Sequence, residues 1–197
     1  LNLELALKNA RIPTIHYVGP SIWAWRGERI HLMKRAVDRV LTLFPFETTI
    51  YSNAAVPVSY VGHPLADMLY DYPPQAEIRA QLGLSLNAPV VALLPGSRIS
   101  ELRSMAQLFV ASARCIAAAV SAVKFVAPMV NRATRALFET ALMQAGAIDM
   151  LILDGHSHDA LAAANVVLVA SGTATLETAL LQRPMVITYR MPRVSWW

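Results

Sequence analysis

From about residue 85 onward, short β-branched apolar runs alternate with longer runs of helical period, the pattern of βαβ units whose parallel strands are covered on both faces. The runs predict strands at Val90–Leu94, Lys124–Met129, Met150–Leu153, Val166–Ala170 and Met185–Tyr189, with helices near Ser100–Val120, Arg132–Ala145, Ser157–Ala163 and Thr173–Gln182 between them. The first of these helices carries a clear core stripe, Leu102, Met105, Phe109, Ala113 and Ile116, at three- and four-residue spacing. Five parallel strands make a near-complete Rossmann-like unit. Upstream, Pro13–Val18, Arg39–Phe44 and Val58–Val61 also read as strands, separated by helices from about Trp25 to Asp38 and near Phe46–Asn53. Between Gly62 and Pro74 three prolines and a glycine fall in 13 positions, the densest group of breakers in the chain. The expected fold class is therefore α/β, two Rossmann-like domains with parallel sheets: residues 1–72 the closing part of a first, incomplete domain, and 73–197 a second.

Composition agrees, with 55% apolar and 15% charged residues in a chain of 197, enough to bury a substantial core. The chain starts at Leu1 inside a helix-like run and stops at Trp196 and Trp197, which predicts an internal piece of a longer protein. Its single cysteine, Cys115, precludes an internal disulfide and fits a reducing, cytoplasmic compartment. The uncharged stretches Thr48–Ala66 and Ala160–Leu176 are broken by proline, glycine and asparagine, so neither reads as a transmembrane helix. A net charge of +4 without a Lys/Arg block leaves no nucleic-acid footprint. Between Arg11 and Arg39, however, six basic residues stand against Glu28 and Asp38, and an anionic partner is expected near that segment.

Leu93-Leu94-Pro95-Gly96-Ser97-Arg98 is a buried strand running into a turn and then a helix. In a parallel sheet such a turn lies at the carboxyl edge, where Gly96 and Ser97 can offer backbone N–H groups to an anion. The plainer reading is an ordinary turn with Ser97 or Ser100 as N-cap and Glu101 in the first turn. Arg98 favours the anion site, because a cation there opposes the helix dipole by ~0.3–1 kcal/mol unless an anion intervenes. The lysine of a P-loop is missing. Ala170-Ser171-Gly172-Thr173-Ala174-Thr175-Leu176-Glu177 repeats the strand-to-helix arrangement, with Gly172 allowing close approach of a ligand and Ser171 and Thr173 adding hydroxyls. Position 174 is Ala, so Glu177 lacks the partner of a capping box. It is free either to accept two hydrogen bonds from a ribose diol or to serve as a surface carboxylate.

Asp154-Gly155-His156-Ser157-His158 invites a metal reading, but the spacing supplies no third ligand, and a polar loop lining the cleft is favoured. His63 before Pro64 suits a cap or packing role. Trp23 and Trp25, with Ile22 exposed beside them and Arg26, Arg29, Lys34 and Arg35 following, suit a lipid interface with anionic head groups. They equally suit core tryptophans with solvated charges scattered around a helix.

Together the strings YVGPSIWAWR at Tyr17–Arg26, LFPFE at Leu43–Glu47, VGHPLAD at Val61–Asp67, LLPGSR at Leu93–Arg98, VASGTATLE at Val169–Glu177 and RPMV at Arg183–Val186 resemble the lipid-A-disaccharide synthase family, glycosyltransferases of the two-Rossmann-domain B (GT-B) architecture. The resemblance implies an inverting, metal-independent transfer of a diacylated glucosamine from UDP to the 6-hydroxyl of diacylglucosamine 1-phosphate, at the inner face of a bacterial inner membrane. No cofactor is implied, since the UDP-sugar is a substrate, and a homodimer of the full-length protein is compatible with it. The implied donor residues are Gly96, Ser97, Arg98, Ser171, Gly172, Thr173 and Glu177. Trp23, Trp25 and Arg26 are the implied acceptor or membrane contacts. The catalytic base is implied to lie outside this chain, and Gly19 stands where the family usually has Ser. A UDP-GlcNAc 2-epimerase and a non-catalytic nucleotide-binding module are the alternatives.

Overall fold

The computed structural model describes residues 1–24, 27–146 and 148–190. The chain divides into two compact units, Leu1–Asp67 and Met68–Trp197. This division falls five residues before the breaker-based boundary at 72. Tyr72 explains the difference, because its side chain packs with Ile78, Ala162 and Ala163 in the second unit and its hydroxyl donates to Asp159 at 2.5 Å.

In the first unit, α1 (Asn2–Asn9) precedes β1 (Ile15–Tyr17), α2 (Arg29–Ala36), β2 (Arg39–Thr42), α3 (Pro45–Asn53) and β3 (Val58–Tyr60), and α4 (Pro64–Tyr70) runs on past the division. The three strands are parallel in the order β1-β2-β3. Met33, Ala36, Val37, Val40, Tyr51 and Val56 form the core, and Ile22 joins them. The expected exposure of Ile22 is therefore corrected: it is 7% exposed and anchors the Trp23 loop instead of extending it. Tyr51 also accounts for Gly19, since a Cβ at that position would overlap the Tyr51 hydroxyl.

The second unit adds α5 (Gln75–Gln81), β4 (Val90–Leu94), α6 (Ile99–Ala119), β5 (Lys124–Met129), α7 (Arg132–Ala145), β6 (Met150–Asp154), α8 (Ser157–Ala163), β7 (Val166–Ala170), α9 (Ala174–Leu180) and β8 (Met185–Thr188). All five strands are parallel, in the order β6-β5-β4-β7-β8. The period of two sorts β4 between two cores. Val91 and Leu93 face Leu102, Met105, Phe109 and Phe138 of α6 and α7, whereas Val90, Ala92 and Leu94 face Ala160 and Leu161 of α8.

The amino edge of this sheet is tied by Arg79, which is 3% exposed. Its guanidinium donates to the carbonyls of Ala163 and Leu86 and to Asn165 Oδ1. The same Asn165 oxygen accepts from the Val90 amide. A buried cation is tolerated when its donors are matched in this way.

The strand order reverses between β4 and β7: successive βα units travel one way from β4 through β5 to β6, and the chain then crosses back under α8 to place β7 on the other side of β4. The loops leaving β4 and β7 therefore diverge, and a crevice opens at their carboxyl ends. In open parallel sheets that crevice is the ligand site.

Candidate functional site

A cavity of about 380 Å³ occupies this crevice, within the size range of small-molecule sites. Gly96, Ser97 and Arg98 line it from the β4 loop, Ser171, Gly172 and Thr173 from the β7 loop, and Glu177 from α9. All seven donor-site residues singled out in the sequence thus border one cavity. Glu101, Pro128, Val130 and Ser157 border it as well. The first three were not singled out as ligand contacts, while Ser157 lies in the loop expected to line the cleft.

The β4 side is built differently from the expectation. The N-cap of α6 is Arg98, not Ser97 or Ser100. Glu101 reaches back so that its Oε2 accepts from the backbone N–H groups of Ser97 at 2.9 Å and Arg98 at 3.1 Å. Its Oε1 takes Arg98 Nη1 at 3.0 Å. The anion between Arg98 and the helix dipole is therefore Glu101, and the Ser97 N–H is already occupied. Burial tends to raise the Glu101 pKa, but the two backbone N–H bonds and the Arg98 charge outweigh it and hold the carboxyl below its ordinary value. Gly96 has its own reason in this clamp. Its φ is +126°, and a Cβ there would meet Glu101 Oε2 at 2.7 Å, so glycine is needed for the turn as well as for any ligand. The Arg98 side chain, 79% exposed, leaves the rest of its guanidinium fork facing the crevice mouth.

On the β7 side, nothing lies within 4 Å of where a Gly172 Cβ would stand, so the backbone there is open to a ligand. Helix α9 has seven residues and contributes little dipole. Glu177, whose side chain is 16% exposed, is not unpartnered: His158 Nε2 stands 3.2 Å from its Oε2. The Asp154–His158 loop is otherwise consumed by internal bonds, Asp154 with Arg135 at 2.9 Å and His156 with Asp159 at 2.8 Å. Among the described residues no three His, Cys, Asp or Glu side chains are grouped to hold a metal ion.

The first unit carries a separate aromatic row. Trp23 meets Phe46 edge-on at 5.4 Å, Phe46 stacks on Phe44 at 5.6 Å, and Phe44 lies 5.7 Å from the His63 ring. Trp23 and Phe46 are each about half exposed. His63 Nδ1 accepts the Leu65 amide at 3.1 Å, which is a capping role. Trp25 and Arg26 lie outside the described residues. On α2 the exposed His31, Lys34 and Arg35 share one face, being three and four residues apart, while Met33 and Ala36 face the core. Of the basic residues between Arg11 and Arg39, Lys34 and Arg35 thus stand on one side of α2 with His31 between them.

A family model described as lipid-A-disaccharide synthetase matches residues 1–197. Lipid-A-disaccharide synthase of Methylobacillus flagellatus is 52% identical over 196 residues, covering 98% of this chain and 52% of that protein. The enzyme of Aromatoleum aromaticum is 53% identical over 191 residues, covering 96% of this chain and 49% of that protein. The chain thus spans about half the length of the curated relatives it matches. Among solved structures, Neisseria meningitidis UDP-GlcNAc 2-epimerase bound to UDP-GlcNAc superposes with a TM-score of 0.64 at 15% identity, over 98% of this chain and 57% of its own. Staphylococcus aureus MnaA in a UDP co-structure gives 0.64 at 13% identity, over 93% of this chain and 52% of its own. At that identity the likeness is one of fold, and it matches the expected class of Rossmann-like units with parallel sheets.

Proposed function

This chain belongs to the lipid-A-disaccharide synthetase family, and on that premise we propose that it carries the donor site of a glycosyltransferase. The reaction joins UDP-2,3-diacylglucosamine to 2,3-diacylglucosamine 1-phosphate and releases UDP. The acceptor 6-hydroxyl attacks the anomeric carbon as the bond to the UDP oxygen breaks, inverting that centre, and the hydroxyl proton leaves to a base supplied from outside these residues. The epimerase alternative has only fold likeness behind it, against identities near 50% to the synthases.

The observation that carries this reading is the crevice between the β4 and β7 loops, with a cation at its mouth and a carboxylate inside it. Arg98 meets the pyrophosphate and neutralises charge that grows on the departing UDP, a contact stronger in the transition state than before it. The open backbone at Gly172 lets the nucleotide lie against the chain, with Ser171 and Thr173 offering hydroxyls. Glu177 accepts from the ribose diol. No cofactor enters the scheme. In this reading the acceptor and its acyl chains come from the membrane, and the protein works at the cytoplasmic face of the inner membrane.

Calorimetric titration of UDP into the full-length protein tests the donor site. Arg98→Ala and Glu177→Ala each remove a charge-assisted contact of ~1.5–3 kcal/mol, so each is expected to weaken UDP by roughly 10- to 150-fold. Arg98→Lys loses the planar fork and should fall close to Arg98→Ala. Unchanged affinity in both alanine variants would overturn the assignment.

A further inference from the structure

We propose that His158 is the positioning residue of this donor site: it grips Glu177 from behind and fixes the carboxylate that receives the nucleotide ribose. The proposal rests on the ribose reading of Glu177 given above. Glu177 lines the cavity and His158 does not, yet His158 Nε2 lies 3.2 Å from Glu177 Oε2. The Nε2 edge of the ring is in polar contact with that oxygen. A carboxylate has about four acceptor positions, so a contact on one oxygen leaves enough for both hydroxyls of a diol.

A glutamate on a short helix would otherwise sample several rotamers, and ordering it on ligand binding costs side-chain entropy. Holding it in place beforehand removes much of that cost from the binding step. His158 can do this because it is itself held. The edge of its ring meets Tyr72 at 6.0 Å and 84°. The Tyr72 hydroxyl donates to the neighbouring Asp159 at 2.5 Å, and burial together with that bond pushes the phenol's pKa up, keeping its proton in place. The far end of α8 is fixed by Gln75 and Arg79, which donate to the carbonyls of Ala164 and Ala163. The crossover from β6 to β7 is what sets α8 beside α9, so the pairing is a product of the strand order.

The test compares UDP with 2′,3′-dideoxy-UDP as ligands of the full-length protein. His158→Phe keeps the aromatic edge against Tyr72 and removes the donor; His158→Gln restores an N–H at similar reach. His158→Phe should weaken UDP roughly three- to tenfold, leave the dideoxy ligand unaffected, and have no further effect in a Glu177→Ala background. His158→Gln should recover most of the loss. Equal weakening of both ligands, or a persistent effect beside Glu177→Ala, would make His158 a packing residue only and overturn the proposal. So would an unchanged UDP affinity in His158→Phe. If Glu177→Ala itself leaves UDP binding unchanged, the ribose reading is what has failed, and the proposal falls with it.

Discussion

Glu101 governs the electrostatics at the cavity mouth, because one carboxylate satisfies two backbone N–H groups and the Arg98 guanidinium together. Its folded pKa lies below its ordinary value, so its contribution to stability is fully present above the unfolded pKa. That contribution is lost as pH falls through the folded one. Glu101→Gln is therefore expected to destabilise the full-length protein at pH 7 by about 1 kcal/mol, as for other lost caps. The difference from the parent should shrink once the pH drops below the usual glutamate range. Urea unfolding at pH 7 and at about pH 2.5, below the lowered folded value, measures this, and a gap that does not narrow would show that the charge on Glu101 contributes nothing.

The sequence makes the need for an anion beside Arg98 visible but not its source. Glu101 sits at the third helical position, as in a capping box, yet the cap residue is Arg, so the Ser/Thr pattern that reveals such boxes is absent. The pairing of His158 with Glu177 is less visible still. The two residues stand 19 positions apart on separate helices, and only the crossover brings them together. By contrast Gly96, Ser97, Ser171, Gly172 and Thr173 were legible as lining of the cavity, because glycine and hydroxyl residues after a buried strand mark a carboxyl-edge loop whatever the rest of the chain does. Arg98 and Glu177 stood out by a charge that the local pattern left unmatched.

Among the elements, the central strand of the second unit was legible because double burial leaves Val90–Leu94 with no polar position at all, while the half-exposed edge strands β6 and β8 were legible as short β-branched apolar runs. Helix α5 was not. In QAEIRAQ only Ile78 and Arg79 are buried, and a buried arginine erases the apolar period. Helix α2 has the opposite character, with Met33 and Ala36 inward and His31, Lys34 and Arg35 outward, and the half-exposed Trp23 and Phe46 belong to the same unit. Among the described residues no helix is long and apolar enough to cross a membrane. A basic helix face and exposed aromatic side chains are surfaces that suit an anionic lipid interface. The full-length protein is expected to float with vesicles containing anionic lipid and to dissociate as salt rises. Lys34→Glu/Arg35→Glu should weaken the association by roughly 2–4 kcal/mol, given ~1 kcal/mol for each basic residue near the surface and charge reversal at two sites. Trp23→Ala should weaken it without altering its salt dependence. Co-flotation indifferent to both changes and to anionic lipid would count against this face.

For the whole molecule, the distribution of the cavity residues matters most. Every residue lining the crevice cavity, from Leu94 to Glu177, belongs to the unit Met68–Trp197. Nucleotide contacts should therefore be available to this 197-residue chain by itself. Transfer needs more, since a base must stand within hydrogen-bond reach of the acceptor hydroxyl, and acceptor and donor must be aligned. The base is proposed to lie outside these residues; among the described ones, His63 is engaged in capping α4 through Leu65, and Asp67 is an exposed residue of the same helix. The isolated chain, once shown to be soluble and folded, is thus expected to bind UDP more weakly than the full-length protein. It should release no UDP from the diacylated donor in detergent with acceptor present, whereas the full-length protein is expected to bind UDP and to release it. Binding without transfer by the full-length protein would favour a non-catalytic nucleotide-binding module. Turnover by the isolated chain would require its own base, and His16 is then the residue to replace, because Glu4 holds its Nδ1 at 2.5 Å in the arrangement by which a carboxylate orients an imidazole for proton transfer.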